Sequence, residues 1–427
     1  MATSPSPNLA LAAAGPVARP GAHAYLAFAL GALFFFYAFV QRVSPSVMVE
    51  DLMRDFAVGG AILGNLSAFY FYAYAGLQVP IGVLMDRVGP RRLMTAAALT
   101  CAAGGVLFAL SSGVHGAYIG RLLIGAGAGF SWVGTLTIIA QWFPQRQFAL
   151  LTGLTQLAGM AGAVFGQAPL AAAVGGFGWR GTLGAIAALG FVLALALWLA
   201  VRDRPHAAQH GAGLLAGLRV VSRNRETWLN AVYGMAMTGP MLAFGGLWGV
   251  PYLVAAYGIG RAAAAATTSL MFLGWGIGAP TIGWLSDRVG RRRPLMMAGG
   301  ALSAVSLVAL LYLPGLPLAA VSALLVVHGF TASSMALAFA CVREHNPAGT
   351  SGAALGVVNA AVVGSGALFQ PLVGLLLDLQ WSGAMEAGAR LYTPAAYGIA
   401  FAVIPLTGVV GTLAVLAMRE TFCKPRG

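Results

Sequence analysis

Apolar runs recur along almost the whole chain, broken by short stretches that hold most of the charge. Each run is near the ~20 residues a helix needs to cross a bilayer core. The runs lack the alternating apolar and polar positions of a barrel strand. In lipid every backbone polar group must be satisfied within the structure, so each run is predicted to be a helix. Six fall at about 24–48, 60–84, 93–112, 116–141, 148–173 and 181–201, and six more at about 228–256, 264–286, 294–313, 316–342, 352–377 and 394–418. The predicted fold is all-α and polytopic, with twelve transmembrane helices.

Composition narrows the class. Of 427 residues 59% are hydrophobic and 8% charged, too few charges to clothe a large soluble surface. A net charge of +13 raises nucleic acid as a partner. Its placement points to a lipid bilayer and away from nucleic acid, because nearly all of it is Arg in short connections. An even number of spans puts both termini on one face. Of the 24 Lys and Arg, only Arg42, Arg54, Arg121, Arg180, Arg261 and Arg390 fall outside the connections and tails of that face. This bias predicts a multi-pass protein of the cell (inner) membrane with both termini cytoplasmic.

Residues 1–23, rich in Ala and Pro, read as a disordered cytoplasmic tail rather than a signal peptide. Residues 202–227 are the longest polar connection and hold a basic amphipathic stretch. They read as a linker with a helix lying on the inner membrane surface. Residues 419–427 read as a second cytoplasmic tail. Cys101, Cys341 and Cys423 have no metal-site or disulfide spacing, and neither metal nor cofactor is expected.

The two sets of spans repeat. Gly82-Val-Leu-Met-Asp86-Arg-Val-Gly89 returns as Gly283-Trp-Leu-Ser-Asp287-Arg-Val-Gly290. Gln167, Pro169, Trp179 and Gly181 return as Gln370, Pro371, Trp381 and Gly383 at nearly the same offset. Two landmarks in step indicate a duplicated six-span unit, 24–201 and 228–418, with parallel halves related by an axis along the membrane normal.

Both copies of the first landmark resemble the signature loop of the major facilitator superfamily, G-x-L-x-D-R-x-G followed by basic residues, with Pro90 standing where a basic residue is usual. The resemblance implies a major facilitator fold of two pseudo-symmetric six-helix bundles. It also implies a gating role for Gly82, Asp86, Arg87 and Arg91 and for Gly283, Asp287, Arg288 and Arg292. The glycines allow close helix approach, and the acids pair with Arg or cap a neighbouring helix. In the family such contacts hold the cytoplasmic side closed. The alternative is that these loops anchor topology by charge alone.

Two arginines lie at membrane depth. Tyr118-Ile-Gly-Arg121-Leu-Leu-Ile-Gly125-Ala-Gly-Ala-Gly129 is similar to the fourth-helix motif of the family. A charge inside a span is costly and marks function by default. The alternative is a structural Arg satisfied by helix ends and carbonyls. Gln41-Arg42-Val-Ser44-Pro-Ser46 is similar to the first-helix D-R-x-N-L-S pattern of the organic-anion symporter branch, where the Arg contacts substrate. Gln41 replaces the acid and Ser44 the Asn, and the alternative is a snorkelling Arg. None of the eleven acids falls in the middle of a predicted span. In the branch pattern a Glu follows the fourth-helix Arg by seven residues; Ala128 stands there. An anionic group on the substrate would supply the missing counter-charge.

Further candidates for substrate contact are Tyr37 in Phe34-Phe-Phe-Tyr37, Tyr74 in the series Tyr70, Tyr72, Tyr74, Gln78, and Gln156 and Asn359. The last two fall on the fifth and eleventh helices, which line the cavity in the family. His328, mid-span in the tenth helix, is the candidate proton carrier, since an ordinary imidazole titrates near neutrality; the alternative is a neutral core His. The fifth-helix motif of drug–proton antiporters is broken, with Gln167 for its Pro and Pro169 two later.

The expected function is secondary active transport by alternating access of a small polar metabolite with an anionic group, such as an organic acid or amino acid. Protons are the candidate coupling ion, and a monomer is expected. Efflux of drug-like or siderophore-like solutes is the alternative within transport. A non-transporting sensor or assembly factor is the alternative of another class, opposed by the intact motif pair. No paired acids, metal-ligand cluster or activated nucleophile supports an enzyme.

Overall fold

The computed structural model describes residues 20–203 and 214–424, with the side chains of Val79, Val83, Asp86, Leu214, Leu215 and Ala348 outside the description. The N-terminal tail expected over 1–23 therefore lies almost wholly outside the described residues, as does the middle of the linker.

The first half comprises α1 (Ala22–Val43, extended by a tight turn over Ser44–Val47), α2 (Val49–Phe56), α3 (Gly60–Val88), α4 (Pro90–Leu110), α5 (Val114–Trp142), α6 (Gln145–Phe165) and α7 (Ala168–Ala200). The linker holds α8 (Leu214–Arg223). The second half begins with α9 (Arg225–Pro240) and α10 (Gly249–Tyr257), joined by a π-helical stretch over Met241–Trp248. α11 (Arg261–Val289) and α12 (Arg293–Tyr312) follow, then α13 (Leu318–Ala332) and α14 (Ala336–His345), which form one interrupted span. α15 (Ser351–Leu379), a hairpin of β1 (Met385–Glu386) and β2 (Ala389–Arg390), α16 (Pro394–Ala400) and α17 (Val403–Leu416) complete it. Among the described residues eleven stretches are long and apolar enough to cross a membrane, and α2 with α3, bent by 112° where they join, make a twelfth if taken as one span.

Local chemistry sets many of the ends. Pro90, Pro294 and Pro394 sit in the first turn of their helices, where a missing N–H costs nothing. Gly258 and Gly290 end α10 and α11 at φ 62° and 69°, a conformation open to glycine.

The fifth and sixth spans meet elsewhere than expected. The sequence pattern places the break after 173, but α6 ends at Phe165 and α7 starts at Ala168 with Pro169 in its first turn. The glycine-rich stretch before Trp179 is a kink inside α7, with Gly178 at φ 69°. A kink keeps most of the backbone hydrogen-bonded where a loop would not. It seats the Trp179 ring against Phe56 and Phe108, with its Nε1 donating to Asp55 at 2.9 Å.

Within the first half α4 packs on α5 and α7, α3 on α5, and α1 on α6. Within the second, α11 packs on α13, α9 on α15 and α17, and α12 on α17. The halves meet along α3 and α15, with α6 and α7 against α11. α8 packs on α15 and α9, so the linker helix rests on the second half.

Each half fastens its signature loop in the same way. The four leading N–H groups of a helix have no partner inside it. Asp203, just after α7, accepts from the Arg91 N–H of α4 at 2.8 Å. Glu420, just after α17, accepts from the N–H groups of Arg292 and Arg293 at 2.9 and 3.1 Å. The described part of the C-terminal segment is thus tied down rather than free, with the Thr421 hydroxyl also donating to Glu344. Burial pushes the Glu420 carboxyl up, but the N–H donors of Arg292, Arg293, Phe422 and Thr421 outweigh it and hold the group below its ordinary range.

The α3–α15 seam is closed on the face away from the chain ends. A Cβ on Gly60 would stand 2.7 Å from the Gly374 oxygen, and one on Gly366 2.8 Å from the Phe71 ring. Gly64 against Gln370 and Pro371 has no more room. Ion pairs reinforce the closure: Arg261 of α11 meets Asp51 at 2.7 Å and Glu50 at 3.2 Å, both on α2. The Gln167 Nε2 donates across the halves to the Gly245 carbonyl at 2.8 Å, in the π-helical stretch.

Candidate functional site

The site grows from the end of α1. There the helix tightens over Ser44–Val47, with Pro45 inside the turn, and the Gln41 carbonyl accepts the Ser44 hydroxyl at 3.1 Å. Arg121, reaching over from α5, donates to the same carbonyl at 2.7 Å and to the Ser67 carbonyl of α3 at 3.2 Å. It is 0% exposed, and its guanidinium lies 5.1 Å from the Tyr70 ring. Its Nε has no acceptor among the described residues. Arg121 therefore ties three helices at one point through neutral acceptors.

Arg42, the next residue after Gln41, is the more available cation. It keeps 7% exposure. Its guanidinium stacks 4.1 Å from the Phe39 ring, 5.1 Å from Tyr74 and 5.6 Å from Tyr70. Its Nε donates to the Tyr70 hydroxyl at 3.4 Å, and that hydroxyl donates to the Ala38 carbonyl at 3.3 Å. Among the described residues no carboxylate pairs with it; its neighbours are phenols and rings. A charge at the centre of a spanning helix costs about 2.5–3.5 kcal/mol on insertion scales, an upper bound for Arg42 in the last turn of α1. A cation–π contact returns about 0.5–2 kcal/mol. Three such contacts are of the same order as the cost, so the cage holds the cation without a fixed counter-ion. Among the described residues its polar neighbours are the neutral hydroxyls of Tyr70 and Tyr74, so an anionic acceptor would be the stronger partner.

The other expected contacts fall into two groups. Tyr74 is part of the cage. Asn359 donates to the Gln78 oxygen at 2.6 Å, one turn along α3 from Tyr74, and so joins the halves beside the cage. Gln156 stands one turn before Met160, whose side chain faces Gly276 of α11, and so lies on the face of α6 turned to the second half. Tyr37 points elsewhere: its hydroxyl accepts from Gln41 Nε2 at 3.1 Å and packs into the first half against Gly190. His328 also lies apart, on the α13 face towards α12. Its Nδ1 is 3.2 Å from the Ser303 hydroxyl, and its Nε2 has no partner among the described residues.

The signature residues stay within their own halves. Arg91 donates to the Trp198 carbonyl at 2.9 Å and stacks on that ring. Arg292 bonds Asp287 at 2.7 Å and Glu344 at 2.9 Å. Burial lowers the Arg292 pKa, but its bonds to Glu344 and Asp287 outweigh that and raise it. Arg87 is exposed, and Arg288 lies 5.3 Å from the Trp284 ring. The Asp86 side chain lies outside the described residues. The close approach expected at Gly82 and Gly283 is not realised: a Cβ at either would meet nothing within 4 Å. Gly82 lies one turn beyond Gln78 on the same face of α3, so the seam has parted by that level.

Sequence reading passed over Phe39 and the hydrogen-bonded role of Tyr70. The signal for the cage was the spacing Tyr70, Tyr74, Gln78, which puts all three on one helical face. It also passed over Gln167 as a tie between halves, since the residue reads as a repeat landmark and a motif mismatch.

The family model of the Major Facilitator Superfamily matches residues 30–259 and 241–422. The "Probable L-galactonate transporter" of Escherichia coli (strain K12) is 26% identical over 277 residues, 60% of this chain and 60% of that one. The "Gentisate transporter" of Corynebacterium glutamicum is 27% identical over 366 residues, 82% of this chain and 80% of that one. The chain spans about two fifths of the length of other curated relatives it matches. A bacterial homologue of the human lysosomal transporter Spinster, solved in an inward-facing and unoccupied conformation, superposes with a TM-score of 0.73 over 93% of this chain and 95% of that one, at 16% identity. The fold, the paired signature loops and the family match together place the chain in the major facilitator superfamily, a family of membrane transporters rather than enzymes.

Proposed function

We propose that the protein carries a small carboxylate-bearing metabolite, such as an organic acid, by alternating access, with Arg42 as the anion contact. One observation carries this: Arg42 is a caged cation at membrane depth with no carboxylate partner among the described residues. Relatives named for galactonate and gentisate, both organic acids, support the class. Tyr74, Gln156 and Asn359 complete the lining. Tyr37 acts through Gln41, and Arg121 positions α1.

The basic connections support a cytoplasmic face for the chain ends, in a cell (inner) membrane. The closed seam on the other face then makes this an inward-facing state. The signature loops at Gly82–Arg91 and Gly283–Arg292 close the inner side in the outward-facing state. The halves are residues 24–201 and 228–418, within one monomer. His328, with a free ring nitrogen among the described residues, is the proton carrier of a symport.

A thermal-shift screen of organic acids, amino acids, nucleosides and drugs tests the class, since a ligand stabilises the state it binds. Carboxylates are expected to raise the melting temperature; stabilisation by neutral or cationic solutes alone would overturn it and favour efflux of drug-like compounds.

A further inference from the structure

α3 begins without a cap of its own. Its preceding residue is Gly59, which has no side chain to accept the leading N–H groups. The acceptor comes from the other half. The Asp378 carboxylate, in the last turn of α15, takes the Gly60 and Ala61 N–H groups at 2.9 Å each. The Tyr392 hydroxyl accepts from the Gly60 N–H as well, at 2.9 Å, and donates to Asp378. Arg390, on β2 of the hairpin, holds the same carboxylate at 3.0 Å. A negative charge at a helix N-terminus also meets the positive end of its dipole.

The repeat does not supply this contact twice. Carrying Trp381 back to Trp179 carries Asp378 back to Gly176, which has no carboxylate. The contact is therefore a feature of one half only, and it sits at the mouth of the glycine seam of Gly60, Gly64 and Gly374.

We infer that Asp378 is the latch of the outer side: a helix cap delivered in trans from the second half, engaged in the inward-facing state and broken whenever the outer side opens. On opening, Asp378 keeps Arg390 and Tyr392, which belong to its own half, while the N–H groups of Gly60 and Ala61 pass to water. The latch thus sets the balance between the two states without touching the solute. It rests on the alternating-access part of the proposed function and not on the substrate class.

Spin labels on Ile62→Cys in α3 and Leu379→Cys in α15, both exposed positions, would read the separation of the halves at the outer end. The background has Cys101, Cys341 and Cys423 replaced by Ala. The measurement is made in lipid nanodiscs without added solute, so it stands whatever the solute is. Asp378→Asn is expected to raise the longer-distance population several-fold, and Tyr392→Phe to raise it less. An unchanged distance distribution in folded Asp378→Asn protein would overturn the latch. If Asp378→Asn does not fold, Tyr392→Phe and Arg390→Gln decide: both leaving the distribution unchanged would overturn it too.

Discussion

Arg121 donates to the Gln41 carbonyl at 2.7 Å, and Gln41 is the residue before Arg42. Arg42 and Arg121 are thus linked through one peptide, with different duties. Arg121 is sealed and spends its bonds on the backbone of α1 and α3. Arg42 is caged by rings and phenols and has no anionic partner among the described residues. Replacing Arg121 removes two charge-assisted bonds to buried carbonyls, each worth about 1.5–3 kcal/mol. Arg121→Gln is expected to lower the melting temperature of the purified protein and its yield. Arg42→Gln is expected to fold normally and lose solute affinity. A charge-assisted bond is worth about 1.5–3 kcal/mol, or roughly 10- to 150-fold in affinity. Equal melting temperatures for Arg121→Gln and wild type would refute the division.

The same helix carries tight and open glycines. Gly64 lies against the backbone of α15, while Gly82 faces open space in this conformation. Gly64→Leu is expected to lower thermal stability, because the added side chain meets backbone that cannot move aside. Gly82→Leu is expected to leave stability unchanged yet reduce uptake several-fold, because the inner side must close over that position in the other state. Full uptake by Gly82→Leu would remove the gating role of this glycine.

Glu420 links pH to the fastening of the second half. Its carboxyl is held below the ordinary Glu value of about 4.3 by backbone donors. The stability it contributes is present above that ordinary value and is lost as pH falls through the lower folded-state value. Melting curves of wild type and Glu420→Gln should therefore differ at neutral pH and converge at the acid end. A constant gap between the two across the acid range would contradict the cap at α12.

Much of this is legible in the sequence. The spans follow from apolar length, and the duplication follows from two landmarks in step. The break between α6 and α7 was misread because glycines at 175–178 resemble a loop, and only packing shows that Gly178 bends a helix that continues. α2 and the hairpin at 385–390 escaped because short connections carry little periodicity. Arg42 and Arg121 stood out as costly charges, but their roles did not. Those depend on which carbonyl the tightening of α1 presents at Gln41, and a side-chain pattern does not encode that. Asp378 read as a loop acid, since its partners are backbone N–H groups some three hundred residues earlier in the chain.

The assignment of Arg42 is tested most directly by binding of one organic acid and its uncharged amide to purified wild type and Arg42→Gln protein, read by isothermal calorimetry. Wild type is expected to bind the acid at least about tenfold more tightly than the amide, a difference of about 1.4 kcal/mol. Arg42→Gln is expected to lose that preference. A preference for the acid that survives intact in folded Arg42→Gln protein would contradict the anion site.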